Sequence, residues 1–426
     1  MGTKLGIFPQ NTKEIFQILN IISNSELRSK ILTLENTQIH LVFCSLNRIF
    51  AVKMAGLYIH IPFCKSRCVY CGFYSTTGLE LRERYVDALC QEMEIRGERY
   101  DIETVYLGGG TPSQLSIEQL RQIFLYINKV YSLSSLHSPL STEISIEMNP
   151  DDVTTEFAAE LQLVGVNRIS MGAQTFNDER LRFLHRRHSA KQVHQAVETL
   201  RQAGFKNISI DLMYGFPDET LDDLKADIEE ALSLDVEHIS TYCLMYEEGT
   251  PLYHLLEQGK VSEVDEELER QMYYTLKDRL EAAGYEHYEI SNFARPGFRS
   301  RHNSSYWQGI PYIGIGAAAH SYDINTRSWN IADIRQYIKG IEQGQRLYES
   351  ETLDEVTRYN DAVTVALRTC EGLDLSKLTS EQRTYCLANA QKHIDANLLK
   401  LQDNHLSLTK EGLFISDMLM SDLILI

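Results

Sequence analysis

Length, composition and charge narrow what this chain can be. Its 426 residues are enough for two to three domains, and 43% hydrophobic with 9% aromatic residues suit a globular protein with a large core. The formal net charge is −18, from 41 basic and 59 acidic residues, whereas surfaces that grip nucleic acid usually carry a basic excess. We therefore expect no nucleic-acid partner.

The sequence has neither a long apolar segment nor a dense cysteine framework. No run of about 18 apolar residues is present, and the N-terminus lacks the pattern of a secretory signal. Eight cysteines are too few for a disulfide scaffold in a chain of this length, and three of them lie close together. These features predict a cytoplasmic protein with a metal site.

Residues 1–53 differ from the rest of the chain. They carry six Lys and Arg against three Asp and Glu, which leaves 35 basic and 56 acidic residues, a charge of −21, for the remainder. Met54 opens a stretch that reads like a protein start followed at once by a strand. We expect residues 1–53 to be an N-terminal extension that derives from an upstream start codon. The alternative is a genuine amphipathic extension around residues 12–22.

From residue 57 onward, short runs rich in β-branched residues alternate with helical patterns. The predicted strands are Leu57–Ile61, Thr104–Leu107, Glu143–Ile146, Arg168–Met171, Asn207–Leu212 and His238–Cys243. The predicted helices between them lie near 80–97, 116–130, 154–163, 190–203 and 220–233. Six such repeats predict parallel strands with right-handed crossovers. The expected α/β fold over residues 54–250 is a partial (β/α)6 TIM-type barrel, with an open doubly wound sheet as the alternative.

Beyond residue 250 the pattern changes to longer helices. Helical segments are predicted near 264–283, 333–344, 354–369 and 380–396, and the stretch 284–322 is rich in glycine and aromatic residues. The tail at 398–415 predicts a small winged helix-like unit. Residues 251–426 are therefore expected to form a C-terminal, mainly helical, winged helix-like domain.

Cys64, Cys68 and Cys71 form a C-x3-C-x2-C run directly after the first predicted strand. Three thiolates can hold three irons of a [4Fe–4S] cluster and leave the fourth iron open to an exchangeable ligand. A structural zinc site usually closes around four ligands, and no second C-x2-C follows in this chain. The run therefore favours a cluster over zinc, a disulfide or chance.

Glycine-rich or polar residues follow each of the other predicted strands. Because the carboxyl ends of parallel strands form the active face of α/β folds, we expect them to meet the cysteines in one cleft. The glycine run lacks the Gly-Lys-Ser/Thr of a phosphate loop, so it is either a plain tight turn or a place where backbone approaches a ligand closely. In chain order these residues are Gly108 to Pro112, Glu147 with Asn149, Gln174, Asp211 and Cys243.

Three charged side chains on the same expected face suit a zwitterionic ligand that carries a ribose. Glu147 can bind an ammonium group, Arg186 a carboxylate, and Asp211 ribose hydroxyls. Each of them alone is more often a surface charge or a helix cap. Beside an open iron, S-adenosylmethionine (SAM) is a ligand with these features.

These motifs resemble those of the radical SAM enzymes. The resemblance rests on C-x3-C-x2-C after the first strand and Gly-Gly-Gly-Thr-Pro after the second, and segments 58–64, 147–150, 168–176 and 211–217 narrow it to the oxygen-independent coproporphyrinogen dehydrogenase-like branch. The resemblance implies that Cys64, Cys68 and Cys71 bind the cluster and that Cys243 makes a backbone contact. The SAM contacts that it implies are Tyr58, Tyr70, Gly109, Gly110, Thr111, Glu147, Gln174, Arg186 and Asp211.

Two groups within this branch differ just after the cluster motif. The coproporphyrinogen III dehydrogenases have a fourth cysteine two positions after the third ligand, where this chain has Phe73. The heme chaperones of the branch share that Phe and a His-Asn-x-x-Tyr-Trp signature, which residues 302–307 match. The resemblance therefore implies a heme chaperone. The alternatives are radical decarboxylation of coproporphyrinogen III and, disfavoured by the charge, a radical SAM enzyme acting on RNA.

The second signature predicts where heme binds. An imidazole can ligate heme iron and aromatic rings can cover a porphyrin, so His302, Tyr306 and Trp307 are the predicted heme-binding residues, with His60 and His320 as other possible ligands. The resemblance also implies three partners: a heme-accepting protein such as a respiratory cytochrome, an electron donor, and a transient contact with a membrane protein.

Overall fold

A mixed sheet of thirteen strands organises the fold. The structure, a computed structural model, describes residues 53–97, 100–133 and 142–425. The predicted N-terminal extension, residues 1–53, lies outside these ranges except for Lys53. The strands are β1 Lys53–Ile61, β2 Tyr100–Gly109, β3 Ser132–Leu133, β4 Glu143–Met148, β5 Arg168–Gln174, β6 Ile208–Tyr214, β7 His238–Cys243, β8 Glu286–Glu289, β9 Asn292–Ala294, β10 Tyr312–Ile315, β11 His320–Tyr322, β12 Thr326–Asn330, β13 Tyr348–Thr352, β14 Leu373–Asp374, β15 Leu399–Gln402 and β16 His405–Leu408.

Helices follow most of the central strands, as the sequence predicts. Their caps are those expected at helix starts: Ser116 and Thr220, for example, accept a backbone N–H of the first turn. The α-helices are α1 Arg82–Arg96, α2 Ile117–Val130, α3 Thr155–Leu163, α4 Asp178–Phe183, α5 Ala190–Gln202, α6 Leu221–Ser233, α7 Pro251–Glu257, α8 Glu266–Ala282, α9 Arg301–Trp307, α10 Ile334–Glu342, α11 Glu355–Ala366, α12 Ser380–Asp395, α13 Lys410–Leu413 and α14 Ser416–Ser421.

The six predicted strands form the centre of the sheet in the order β1-β2-β4-β5-β6-β7. The pairs β2·β4, β4·β5, β5·β6 and β6·β7 are parallel. Residues on both faces of these strands are buried, as Ile169 and Met171 on one face of β5 and Ser170 on the other show. Burial of both faces is expected for the parallel strands of an α/β fold. These strands follow one another in chain order, without the reversal of order that a doubly wound sheet has, and their path is open. The expected partial (β/α)6 barrel is therefore confirmed.

The sequence did not predict the strands that extend this sheet at both edges. β10 pairs in parallel with β1 and carries β11, β12 and β13 in antiparallel order, whereas β9 and β8 are added beyond β7. The chain between β9 and β10 contains α9, whose first residues contact Glu143 at the start of β4. Helix α9 therefore lies against the amino-terminal half of the central strands, away from the cysteines.

A second, smaller core forms near the C-terminus. Strands β14, β16 and β15 make a separate antiparallel sheet, packed with α11, α12 and α14 around residues that include Val363, Cys386, Leu406 and Leu419. The hairpin β15–β16 and the short helix α13 occupy the predicted winged helix-like tail. The domain boundary expected at residue 250 stays a prediction. Within the described ranges, no helix combines the length and hydropathy needed to span a bilayer.

Candidate functional site

A cavity of about 440 Å³ opens at the carboxyl ends of the central strands. It is the place where the sequence predicts a cleft, because loops that follow parallel strands emerge at one edge of the sheet. Eleven of the twelve residues predicted to contact the cluster or SAM line it: Cys64, Cys68, Tyr70, Cys71, Gly109, Gly110, Thr111, Glu147, Gln174, Arg186 and Asp211.

Backbone hydrogen bonds hold the cysteine loop, residues 64–71, in place. The N–H of Cys64 donates to the carbonyl of Thr76 at 2.9 Å, and the N–H of Val69 donates to the carbonyl of Leu184 at 3.3 Å. All three thiols of the loop are free and partly exposed to the cavity. Within the described ranges, no three His, Cys, Asp or Glu side chains are close enough to hold one metal ion.

Two polar side chains contact the thiols. Thr111 Oγ1 lies 3.6 Å from Cys64 Sγ, and Arg186 Nη1 donates to Cys68 Sγ at 3.5 Å. Burial raises the pKa of the Cys64 thiol, whereas its contact with Thr111 lowers it. A nearby guanidinium favours the thiolate form that metal ligation needs.

The glycine run brings the end of β2 against the end of β1. A Cβ on Gly109, whose φ is 109°, would lie 2.4 Å from the ring of His60. A Cβ on Gly110 would lie 2.7 Å from the backbone carbonyl carbon of Pro62, and the Gly110 N–H donates to the carbonyl of Ile61 at 2.9 Å. The glycines are therefore required by close packing, and they present a backbone edge to the cavity.

Two partly buried carboxyl groups face the cavity. Glu147 accepts hydrogen bonds from the Tyr106 hydroxyl at 2.8 Å and the Gly109 N–H at 3.0 Å. Burial raises the pKa of Glu147 to about 7, although these hydrogen bonds act in the opposite direction. Burial likewise raises the pKa of Asp211 to about 6, against the effect of a hydrogen bond from Ser240. Acids with raised pKa values suit a cationic ligand, which would stabilise their ionised forms.

Arg186 and Gln174 are positioned by an irregularity in β5. The pairing of β5 with β6 shifts between Gly172 and Gln174, and Gln174 has a φ of 71°, in the left-handed region. Arg186 Nη2 donates to the carbonyl of Gly172 and to Asn149 Oδ1, both at 2.7 Å. One guanidinium thereby connects the cysteine loop to the ends of β4 and β5.

Tyr58, the twelfth predicted residue, does not line the cavity. Its hydroxyl lies 3.0 Å from His60 Nδ1, and its ring stacks on Tyr106 with centroids 6.3 Å apart. His60 makes its second contact with the carbonyl of Tyr74. His60 is therefore bonded through both ring nitrogens, which disfavours it as a heme ligand.

The predicted heme-binding residues lie on α9, away from the cavity. The side chain of His302 is bonded at both ring nitrogens, through Nδ1 to Thr104 Oγ1 and through Nε2 to Tyr306 Oη, each at 2.8 Å. His302 is 1% exposed, and burial lowers its pKa to about 3. Iron ligation by His302 would require these two hydrogen bonds to break. The Trp307 ring lies under the Arg368 guanidinium, 5.3 Å from ring centroid to Cζ.

Large apolar side chains at the mouth of the cavity were not predicted as site residues. Phe73 is 72% exposed, Met245 is 62% exposed and Tyr242 is 42% exposed, and all three line the opening. Exposed aromatic and thioether groups clustered beside a cavity mark a binding surface. Tyr242 and Met245 lie at and just after the end of β7, and this strand-end position is the sequence signal that could have identified them as site residues.

Comparison with known proteins identifies the family. Residues 58–231 match the family described as "Radical SAM superfamily", and residues 353–415 match "HemN C-terminal domain". The chain is 39% identical over 334 residues to the heme chaperone HemW of Bacillus subtilis, covering 77% of this chain and 87% of that protein. It is 33% identical over 371 residues to HemW of Mycobacterium tuberculosis, covering 85% and 93%.

A solved structure shows the same fold. Coproporphyrinogen III oxidase HemN from Escherichia coli superposes with a TM-score of 0.75 at 22% identity, over 88% of this chain and 91% of that chain. The fold, the cysteine-lined cavity and the family matches define a radical SAM protein. Within that superfamily the chain belongs to the HemW family.

The cavity fits the cofactors of this superfamily, a [4Fe–4S] cluster and SAM. Three free thiols on one loop face the cavity, which is the number that leaves one iron open. Glu147 and Asp211 offer partly buried carboxyl groups to the cationic and hydroxyl groups of SAM, and Gly109 and Gly110 present a backbone edge to the cavity. The contribution of each residue stays a prediction.

Proposed function

We propose that this protein is a heme chaperone that binds heme and transfers it to an acceptor protein. The observation that carries the proposal is Phe73, which lies two positions after the last cysteine of the cluster motif and is 72% exposed at the cavity mouth. A fourth cysteine there would suit porphyrinogen decarboxylation, whereas an exposed ring offers a flat apolar contact. Identity of 39% to a protein named heme chaperone HemW supports the same function.

We further propose that Cys64, Cys68 and Cys71 hold the cluster and that the other polar residues of the cavity hold SAM. When bound, the cluster and SAM supply one-electron chemistry at a sulfonium group. Glu147 and Asp211 would orient the cationic and hydroxyl groups of SAM, and Arg186 would hold its carboxylate while contacting Cys68. The rest of the cavity wall around SAM would be formed by Tyr70, Gly109, Gly110, Thr111 and Gln174.

Heme would dock at the mouth of the cavity. Phe73, Tyr242 and Met245 provide apolar surface for the porphyrin face, and burying that surface is favourable. Arg67, which is exposed and lines the same opening, could pair with a propionate. This position needs no rearrangement of α9, whereas iron ligation by His302 does.

The acceptor, the electron donor and the cellular location complete the proposal. A respiratory cytochrome is the type of acceptor we propose, reached through a transient contact with a membrane protein, and a separate reductant would supply electrons to the cluster. The seven cysteines in the part of the chain that the structure describes are all free. Free thiols and a thiolate-ligated cluster suit a reducing compartment, so we propose that the protein acts in the cytoplasm.

One experiment separates this function from porphyrinogen decarboxylation. The cluster is reconstituted anaerobically, the holoprotein is titrated with heme, and a parallel sample receives coproporphyrinogen III, SAM and a reductant. We expect stoichiometric heme binding, seen in the Soret region, without protoporphyrinogen formation. Clear turnover of coproporphyrinogen III would overturn the proposal.

A matched pair of variants tests the docking position. Phe73→Ala should weaken heme binding about tenfold, because one aromatic ring face loses its contact. Leu163→Ala removes another exposed apolar side chain, 77% exposed at the end of α3, and should leave heme affinity unchanged. If His302→Ala abolishes heme binding and Phe73→Ala has no effect, heme binds at α9 instead.

A further inference from the structure

Aromatic rings connect α9 to the cavity through the interior of the barrel. The Tyr106 ring stacks on His302, with centroids 5.1 Å apart and planes 22° from parallel. Tyr58 lies beside both, with centroids 6.3 Å from Tyr106 and 6.5 Å from His302. On its far side, the Tyr106 hydroxyl donates to Glu147 Oε1. A single tyrosine therefore contacts both the α9 histidine and a carboxylate of the cavity.

His302 is held firmly enough to support that tyrosine. Both ring nitrogens are bonded, to Thr104 and to Tyr306, and the backbone N–H of His302 donates to Glu143 Oε1 at 3.0 Å. These contacts come from β2, β4 and α9 itself, so the imidazole has little freedom to rotate. Burial keeps the imidazole neutral by lowering its pKa.

The slot around Tyr106 and Glu147 is tight. A Cβ on Gly108 would lie 2.7 Å from Tyr106 Cε1 and 2.8 Å from Glu147 Oε1. The second carboxylate oxygen of Glu147 accepts the Gly109 N–H at 3.0 Å. The packing allows the Tyr106 ring and the Glu147 carboxylate one relative position. A small tilt of the ring would therefore move its hydroxyl away from the carboxylate.

We propose that His302 is a positioning residue for SAM binding: it fixes Tyr106, and Tyr106 fixes the Glu147 carboxylate in the cavity. The inference rests on the proposed assignment of the cavity to SAM. It gives the His-Asn-x-x-Tyr-Trp segment a role in supporting the cavity floor, which is distinct from ligating heme iron. His302 and Tyr106 should then act as one unit, so their substitutions should be strongly non-additive.

The test is a double-mutant cycle on the cluster-loaded protein. SAM affinity is measured by calorimetry for wild type, Tyr106→Phe, His302→Ala and the double variant. Tyr106→Phe should weaken SAM binding about tenfold, the cost of one hydrogen bond to a charged group. His302→Ala should weaken it to a similar extent, and the double variant should be little worse than either. Visible cluster absorption should stay unchanged in all four.

The pH dependence of SAM affinity provides a readout that general damage to the fold would not move. The Tyr106 hydrogen bond lowers the pKa of Glu147, so Tyr106→Phe and His302→Ala should both shift the binding midpoint to higher pH. Asp211 is the other acid facing Glu147, so the series is repeated with Asp211→Asn to separate its titration. Burial keeps the neighbouring tyrosine hydroxyls protonated over this range by raising their pKa values: Tyr58, Tyr242 and Tyr306.

Three outcomes would count against the inference, and they differ in what they overturn. Fully additive effects of the two substitutions, or a His302→Ala variant with the wild-type SAM affinity and pH midpoint, would overturn the positioning role alone. A wild-type holoprotein that binds no SAM would overturn the proposed assignment of the cavity and the inference with it.

Discussion

Single side chains around the cavity each contact several groups, so their effects are coupled. Arg186 donates to Cys68 Sγ, Asn149 Oδ1 and the carbonyl of Gly172. Thr111 contacts both Cys64 and Asn149. The two side chains that contact the thiols therefore also hydrogen-bond to groups at the ends of β4 and β5. Residues that orient ligands commonly affect metal affinity strongly.

The cysteine assignment can be tested one thiol at a time. Cys64→Ser, Cys68→Ser and Cys71→Ser should each lose the visible absorption of the reconstituted cluster, because a hydroxyl is a poor substitute for a thiolate on iron. Iron content and absorbance after anaerobic reconstitution measure the loss. Cys370→Ser, which replaces an exposed free cysteine outside the cavity, is the control and should retain the cluster. Full iron retention in a Cys64, Cys68 or Cys71 variant would refute that ligand.

Glu147 should make SAM binding depend on pH. With a pKa near 7 in the free protein, Glu147 is mostly neutral at pH 6 and mostly ionised at pH 8, so affinity for the cationic ligand should rise across this interval. Glu147→Gln should flatten the rise, whereas Glu156→Gln, an exposed position on α3, should not. A wild-type affinity that stays constant from pH 6 to 8 would contradict the role of this carboxylate.

The same shift has a consequence for stability, with a definite sign. Because native Glu147 keeps its proton to higher pH than the unfolded chain does, the native state binds more protons between about pH 4.5 and 7. Its contribution to the free energy of unfolding of the SAM-free protein should therefore fall as pH rises through this window. Urea unfolding at pH 5 and pH 7 should show a smaller decrease for Glu147→Gln than for wild type.

At the level of elements, the sequence predicted the repeating strand–helix units but not the strands outside them. The central strands are β-branched runs separated by helices, so their existence and order follow from pattern. Strand β13, Tyr348–Thr352, is exposed at every residue and has no apolar alternation to reveal it. Strands β10 to β12 are short and depend on pairing with β1 and with one another. Long-range pairing of this kind leaves no local signal.

The candidate site was predictable to a similar degree. Residues at strand ends could be placed in one cleft because parallel strands share an edge. Tyr58 and His302 could not be placed, because their surroundings depend on where the chain between β9 and β10 crosses the barrel. Side-chain partners such as Thr104, 198 positions from His302, depend on this crossing. The heme-binding role of His302, Tyr306 and Trp307 therefore stays a prediction that α9 would have to rearrange to fulfil.

The junction of β1 and β2 should tolerate no side chain at Gly110. Gly110→Ala would place a Cβ against the backbone of Ile61 and Pro62, which flank the cysteine loop, so we expect about 1–3 kcal/mol less stability and impaired cluster assembly. Gly72→Ala is the matched control beside Cys71. Its new Cβ would meet the end of the Glu247 side chain, which can move. Thermal unfolding and cluster absorbance of the two variants make the comparison. Equal behaviour would show that the glycine run is a plain turn.

At the scale of the whole molecule, one buried carboxylate joins the helical layer to the added edge of the sheet. Glu92 on α1 accepts hydrogen bonds from the Gly316 N–H at 2.9 Å, Asn330 Nδ2 at 2.8 Å and the Tyr337 hydroxyl at 2.6 Å. It also lies 3.5 Å from the Arg346 guanidinium. These partners lie more than 220 positions along the chain from Glu92, so the network holds β12 and α10 against the barrel.

Removal of this carboxylate should destabilise the fold without emptying the cluster site. Glu92→Ala removes the carboxylate to which the Gly316 N–H and the Tyr337 hydroxyl donate, and with it a buried negative charge close to Arg346. The free energy of unfolding should therefore fall by about 3–5 kcal/mol. Glu94 lies on the same helix as Glu92 and forms an exposed ion pair with Lys129 of α2. Glu94→Ala should change the free energy of unfolding by less than about 1 kcal/mol. Urea unfolding with two-state fitting measures both values. Reconstituted Glu92→Ala should keep the wild-type cluster absorbance below its unfolding temperature, because Glu92 does not line the cavity. Loss of the cluster from folded Glu92→Ala would show that the added edge of the sheet also supports the cysteine loop.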